Sequence, residues 1–171
     1  MTWFYRFALL ILFVSCTLEE PNADFVLSNF YEVEFEDVRF QADFREYHKL
    51  NFERSKQAIC QYPFFIQGIK RSGNVLTLKV KRSASCSGSY RLVWDGMVQE
   101  SNPERVQFYL VPEMMNCTQT GTLVEDELVI DLKKAFQSMV PQVVDRMYLY
   151  VREYCNFVDY LCEGDCELNK N

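Results

Sequence analysis

The residues best equipped for chemistry are seven cysteines: Cys16, Cys60, Cys86, Cys117, Cys155, Cys162 and Cys166. Cys16 ends the stretch FVSC at 13–16, which has the form of a lipobox, with small Ser15 before the cysteine and Phe13 where Leu is usual. A thiolate is the nucleophile that takes up a diacylglyceryl group in that setting, so Cys16 is the expected lipidation site. Giving Cys16 to lipid leaves six cysteines, an even number suited to disulfides in an oxidising compartment. Ordinary signal-peptidase cleavage after Cys16, with Val14 and Cys16 as the small residues, leaves the same six. Parity therefore points to export and does not separate the two routes.

The tail places Cys155, Cys162 and Cys166 among Asp159, Glu163 and Asp165. Thiolates at Cys-x3-Cys spacing beside carboxylates have the composition of a zinc site. Disulfides are the expectation instead, because oxidation competes with metal capture after export. Cys60 has no cysteine near it in sequence and is expected to reach one of the tail cysteines. No metal and no cofactor is expected.

Other candidates are weaker. Glu32, Glu34, Glu36 and Asp37 form one acidic group and Glu125-Asp126-Glu127 another. Neither has the Asp-x-Asp-x-Asp-Gly spacing that wraps a loop round calcium, so both read as solvated faces or turns. Carboxylate pairs could serve a hydrolase, but nothing in their spacing shows it. The single histidine, His48, sits in REYHK at 45–49 without the Gly-x-Ser-x-Gly or His-Glu-x-x-His context of a catalytic base, and reads as a surface residue. Lys79, Lys81 and Arg82 read as the wet side of a strand whose Val80 points inward. Trp94, Tyr90 and Tyr109 could form a sugar-binding platform, but core packing is the expectation, with Trp94 in phase with Leu92. Asn116-Cys117-Thr118 fits a glycosylation sequon in form only. No catalytic residues are assigned, and the chain is read as a non-enzyme.

The elements that must position these residues are mostly strands. The 171 residues are 49% apolar and 15% aromatic, enough for the buried core of one ordinary domain. A net charge of −6 argues against a nucleic-acid surface, which needs a basic stripe to meet phosphates. Apolar residues recur mainly with period two. Alternation around Val33, Phe35, Val38 and Phe40 predicts a strand with a bulge at Glu36-Asp37. Phe44, Tyr47 and Leu50 give a short helical face. Residues 62–70 and 74–82 predict a hairpin with Gly73 at positive φ. Further strands are expected at 90–94, 106–111 (stopped by Pro112), 128–132 and 143–153, with a helical turn or two at 133–139. No regular βαβ alternation appears, which disfavours a parallel sheet.

Residues 1–15 carry Arg6 before an apolar run at 7–14. That run is too short to span a bilayer, which takes about 20 residues, and has the length of a signal-peptide core. Residues 16–24 read as the lipidated cysteine and an acidic, Pro-containing tether, and 25–171 as a single β-rich domain.

The central part carries, in order, NVLTLKV at 74–80, Ser85-Cys86, YRLVWDG at 90–96, ESNP at 100–103, VQFYLV at 106–111, Asn116-Cys117 and ELVIDL at 127–132. This pattern resembles a group of uncharacterised exported lipoproteins of Bacteroidetes-type bacteria. Here Ser85 stands where that group often has Gly, and no His lies between Cys86 and Tyr90. The resemblance implies an envelope location and a Cys86–Cys117 bridge, and brings no activity with it. Glu19-Glu20 after the lipobox resembles signals that carry such lipoproteins to the cell surface.

The expectation is a mainly β, antiparallel sandwich or barrel-like domain with at most one or two short helices, stabilised by disulfides. Its expected place is the bacterial outer membrane, anchored by lipid on Cys16, on the periplasmic or surface face. Its expected work is noncatalytic binding of an envelope protein or an external ligand. The alternative is a freely secreted, disulfide-rich ligand-binding or inhibitor protein.

Overall fold

The computed structural model describes residues 30–56, 60, 64–115, 117 and 121–169. Residues 1–24, the expected signal peptide, lipidated Cys16 and tether, lie outside the described residues. The strands are β1 (Tyr31–Glu34), β2 (Val38–Ala42), β3 (Phe64–Ser72), β4 (Val75–Ser83), β5 (Ser87–Trp94), β6 (Arg105–Met115), β7 (Leu123–Asp131), β8 (Tyr148–Glu153), β9 (Asp159–Cys162) and β10 (Cys166–Asn169). The helices are α1 (Phe44–Ser55), α2 (Leu132–Ala135) and α3 (Pro141–Arg146).

Two sheets stack face to face. Sheet A has the order β1-β2-β5-β6-β8-β9, and sheet B has the order β10-β3-β4-β7. Between them lies a continuous core built from alternate residues: Phe40, Leu92, Trp94, Phe108 and Leu110 from sheet A, and Ile66, Ile69, Leu76, Leu78 and Leu128 from sheet B. Phe136, just after α2, closes one end, with ring centroids 4.9 Å from Phe40 and 5.0 Å from Trp94 in edge-on geometry. The fold is thus the expected mainly β, disulfide-bearing sandwich, and it is an open sandwich, not a closed barrel.

The structure departs from the sequence reading in several places. Three helices are described, not one or two. Sheet A is mixed, because β2 pairs β5 in parallel and β6 pairs β8 in parallel. Between each of those pairs the chain crosses to sheet B and back, and such a long crossover is what parallel pairing requires. Glu36-Asp37 is not a bulge but a hairpin turn, in which the Phe35 N–H donates to the Val38 carbonyl at 2.9 Å. The 143–153 stretch divides into α3, opened by Pro141 in its first turn, and β8.

Strand β6 also runs through Pro112. The Tyr90 N–H donates to Asp37 on the β2 side, so Tyr90 and its partner Pro112 form a non-hydrogen-bonded pair. The Pro112 nitrogen therefore points toward the β8 side. There β8 pairing has already ended at Leu110, so no donor is needed.

Helix α1 adds a layer on the outer face of sheet A. Asp43 caps it, its carboxylate accepting from the Glu46 N–H at 2.9 Å, and the Asp43 N–H is fastened to the end of β5 at Trp94 O. Tyr47 and Leu50 cover Val93, Tyr109 and Val111. The face expected from Phe44, Tyr47 and Leu50 is present, extended by buried Arg54, which pairs with Asp159 of β9 at 2.6 Å.

Candidate functional site

Six of the seven cysteines form three disulfides, Cys60–Cys155, Cys86–Cys117 and Cys162–Cys166. Cys60, ahead of β3, is joined to Cys155, just beyond β8, so this bridge ties sheet B to sheet A across 95 positions. Cys86–Cys117 closes the open end of the β5–β6 hairpin, next to the Ser87–Met115 pair. Cys162–Cys166 spans the turn that carries the chain from sheet A to sheet B. The tail sulfurs are thereby taken up in disulfides, and the zinc reading of that segment falls. Among the described residues, no group of three His, Cys, Asp or Glu is placed to hold a metal ion.

The remaining candidates are dispersed. His48 is exposed on α1, its ring centroid 4.1 Å from that of Phe44 in a tilted contact. Trp94 is in the core, its indole N–H donating to Met97 O at 2.8 Å. Tyr90 and Tyr109 are buried too, so these rings form no platform. Glu32, Glu34, Glu36 and Asp37 are exposed along β1 and at the hairpin turn. Asn116 and Thr118 of the sequon lie outside the described residues.

Several polar groups buried in the sandwich escaped the sequence reading, and each is committed to structure. Strand β3 shifts register between Ile66 and Gly68. The Ile66 N–H points to the β10 side of β3, where β10 pairing reaches only to Gly68, and the fully buried carboxylate of Glu153 accepts from it at 3.1 Å. Asn156 donates to both Glu153 and Phe64 O, and the Tyr160 hydroxyl donates to Ile66 O at 3.0 Å. Burial, with the Glu153 charge added, pushes the Tyr160 phenol up to about 12. Arg71, 2% exposed, points its guanidinium at the C-terminal end of α3, donating to Val144 O at 2.7 Å, Asp145 O at 3.2 Å and Met147 O at 2.5 Å. A cation on those carbonyls matches the negative end of the helix. The signals that could have marked these residues are weak: an isolated Arg and an isolated Glu in otherwise apolar phase.

Unused polar groups gather on the outer face of sheet B. In β3 the bulge turns Gly68 and Lys70 outward; in β4 the outward residues are Thr77 and Lys79; in β7 they are Glu127 and Val129; in β10, Glu167 and Asn169. Registers align them in rows, with Asn169, Gly68, Lys79 and Glu127 side by side in one row and Glu167, Lys70, Thr77 and Val129 in the next. Gly68 has no side chain, and over it opens a groove of about 370 Å³ lined by Lys70, Thr77, Lys79, Glu127, Glu167 and Asn169. A methyl group on Gly68 would come within 2.9 Å of the Asn169 side-chain oxygen, so the glycine keeps the floor low. Lys70 and Glu167 lie 3.6 Å apart and are both about 60% exposed, so water screens them and they remain available to a ligand. The groove offers ammonium groups, carboxylates, a hydroxyl and an amide. It can hold a polar or charged ligand by hydrogen bonds and contains no positioned nucleophile.

No protein-family model matches the chain, and neither a curated protein nor a solved structure matches it significantly.

Proposed function

We propose that this chain is an exported, noncatalytic binding domain, held to a bacterial outer membrane by lipid on Cys16 and contacting an envelope protein or an external ligand. One observation carries the binding reading. Polar groups inside the sandwich serve the fold, as Glu153 and Arg71 do, while a cluster of charged, hydroxyl and amide side chains faces solvent around the Gly68 groove. Three disulfides support an oxidising compartment outside the cytoplasm. A freely secreted binder or inhibitor is the second reading, favoured by the same disulfides and separated from the first only by the fate of Cys16.

The test is the intact mass of the mature protein from its native membranes and medium, before and after reduction and alkylation. A lipid-sized excess on a chain beginning at Cys16 supports the anchored domain. A lipid-free chain beginning at Thr17 overturns the anchor in favour of secretion. Photo-crosslinking residues placed in turn at Thr77 and at His48 test the groove in the same membranes. Adducts at Thr77 and none at His48 are expected; equal labelling, or none at either, rules out the groove as the contact site.

A further inference from the structure

Strand β7 is an edge of sheet B, nine residues long, with β4 as its one partner in the sheet. Its hydrogen-bond phase follows from two bonds at its ends. The Leu132 N–H donates to Asn74 O at 2.8 Å, and the Ala84 N–H donates to Thr122 O at 2.9 Å. The register between them is unbroken from Val75–Asp131 to Ser83–Leu123. Hydrogen-bonded pairs in an antiparallel ladder recur every second residue. The even-numbered residues of β7 therefore bond to β4, and Glu125, Glu127 and Val129 direct their N–H and C=O groups away from the sheet. Among the described residues no backbone group meets them.

Carboxylates outnumber cations in the surroundings of this edge. Glu125 and Glu127 are exposed on β7 and make no ion pair among the described residues, although Lys81 and Lys79 stand opposite them on β4. Beside the edge is a cleft of about 440 Å³, whose far wall is the β1–β2 turn with Glu34, Phe35, Glu36 and Asp37. The cation in this cleft, Lys134, is held by Glu34 O at 3.3 Å and lies over the Phe35 ring at 5.2 Å. Val129 is 51% exposed on the same edge, an apolar side chain with nothing over it among the described residues.

We propose that β7 accepts an extended, lysine- or arginine-bearing peptide segment as a fifth strand of sheet B. Added antiparallel, such a strand lies about 4.8 Å from β7 and sets alternate residues opposite Val129, Glu127 and Glu125. The matching pattern is apolar-x-cation-x-cation. Backbone bonds hold the segment, and the carboxylates of β7 and the β1–β2 turn select its charge. A second copy of this chain is a poor occupant, because antiparallel pairing centred on Glu127 sets Glu127 against Glu127. The chain's own tether is another poor occupant, since no cation occurs between Cys16 and Arg39.

The proposal names a partner class for the binding reading above and rests on it. Its test reads only β7 amides, so its failure is separable from failure of the anchor or groove. The mature, disulfide-intact protein is mixed at low ionic strength with the peptide Thr-Val-Thr-Lys-Thr-Lys-Thr, blocked at both ends, or with its Glu-for-Lys counterpart. Amide hydrogen exchange at Glu125, Glu127 and Val129 is followed by NMR. The Lys peptide is expected to slow these amides about tenfold or more at saturation, with the effect shrinking in high salt, and the Glu peptide to leave them unchanged. The double variant E125K/E127K is expected to exchange the two peptides' roles, while native-like amide spectra elsewhere show that it still folds. Three results overturn the proposal. One is no protection by the Lys peptide. Another is equal protection by both peptides. The third is amides already protected in the protein alone, which would mean that its own chain or a second copy fills the edge.

Discussion

Arg82 of β4 and Asp126 of β7 meet inside the sandwich, Nε to Oδ2 at 2.6 Å and Nη2 to Oδ1 at 3.2 Å, and the hydroxyl of Tyr90 from the opposite sheet donates to the same carboxylate. Arg82 also donates to Cys86 O at 2.6 Å. One carboxylate thus joins the two sheets and, through Arg82, the segment carrying the Cys86–Cys117 bridge. Burial and the hydrogen bond to Asp126 together raise the Tyr90 phenol.

This arrangement separates Asp126 from its neighbours Glu125 and Glu127, which face solvent. Asp126→Asn is expected to lower unfolding free energy by about 2 kcal/mol, the scale of losing charge-assisted bonds at a partly buried site. Glu125→Gln and Glu127→Gln should each stay within about 0.5 kcal/mol of the parent. Urea unfolding at neutral pH decides it; three equal midpoints would contradict the arrangement.

Arg71 serves α3 with several donors on adjacent carbonyls. Arg71→Met should cost about 3 kcal/mol, by leaving buried carbonyls unpaired at a helix end. Arg71→Lys should recover little of this, since one ammonium cannot reproduce the planar fork. Thermal and urea unfolding of both variants are the check, and full rescue by Lys would show that charge alone is at work.

The three disulfides close loops of very different length. By the chain-entropy relation, Cys60–Cys155, with a separation of 95, contributes about 4–5 kcal/mol, and Cys162–Cys166, with a separation of 4, about 2 kcal/mol. Replacing both partners of the first by Ser should therefore lower the unfolding midpoint much more than replacing both partners of the second. The reverse order would show that native contacts, not unfolded-chain entropy, set their worth.

Alkali should weaken the fold through tyrosines. Burial is the largest cause that holds Tyr47, Tyr154 and Tyr160 protonated to about 12, against an ordinary value of 10.0; the Glu53 carboxylate beside Tyr154 adds to its shift. Between pH 10 and 12 the unfolded chain sheds these protons and the folded chain keeps them. The stability they confer is therefore whole below pH 10 and falls as pH rises through that interval. Melting temperatures from pH 8 to 12, with tyrosinate absorbance recorded in parallel, should show the loss. A triple Phe variant at these positions should flatten it. An unchanged slope would assign the alkaline loss to other groups.

Much of the fold was legible because period-two alternation is a local property of the strand. The β3–β4 hairpin was readable from 62–82, with Gly73 at φ 56° in its turn. The helical face of Tyr47 and Leu50 was readable for the same kind of reason. Pro112 does not stop β6, because a proline stops a strand only where its missing N–H is needed, and that depends on how far a neighbouring strand extends. The groove on sheet B was hidden because its rows draw on β10, β3, β4 and β7, which lie far apart in the chain. Neither Gly68 nor Asn169 carries a signal that would link them.

The sequence by itself determined the alternating strands, the apolar residues available to a core and the even set of six cysteines beyond Cys16. Each of these rests on residue type or on spacing within a few positions. Tertiary structure alone decided which strands share a sheet, which cysteines pair, and that Asp126 turns inward between two outward glutamates. Those outcomes depend on registers between distant strands, and a register shift of one residue exchanges the buried and exposed faces of a strand. Only the assembled sandwich selects one register over the other.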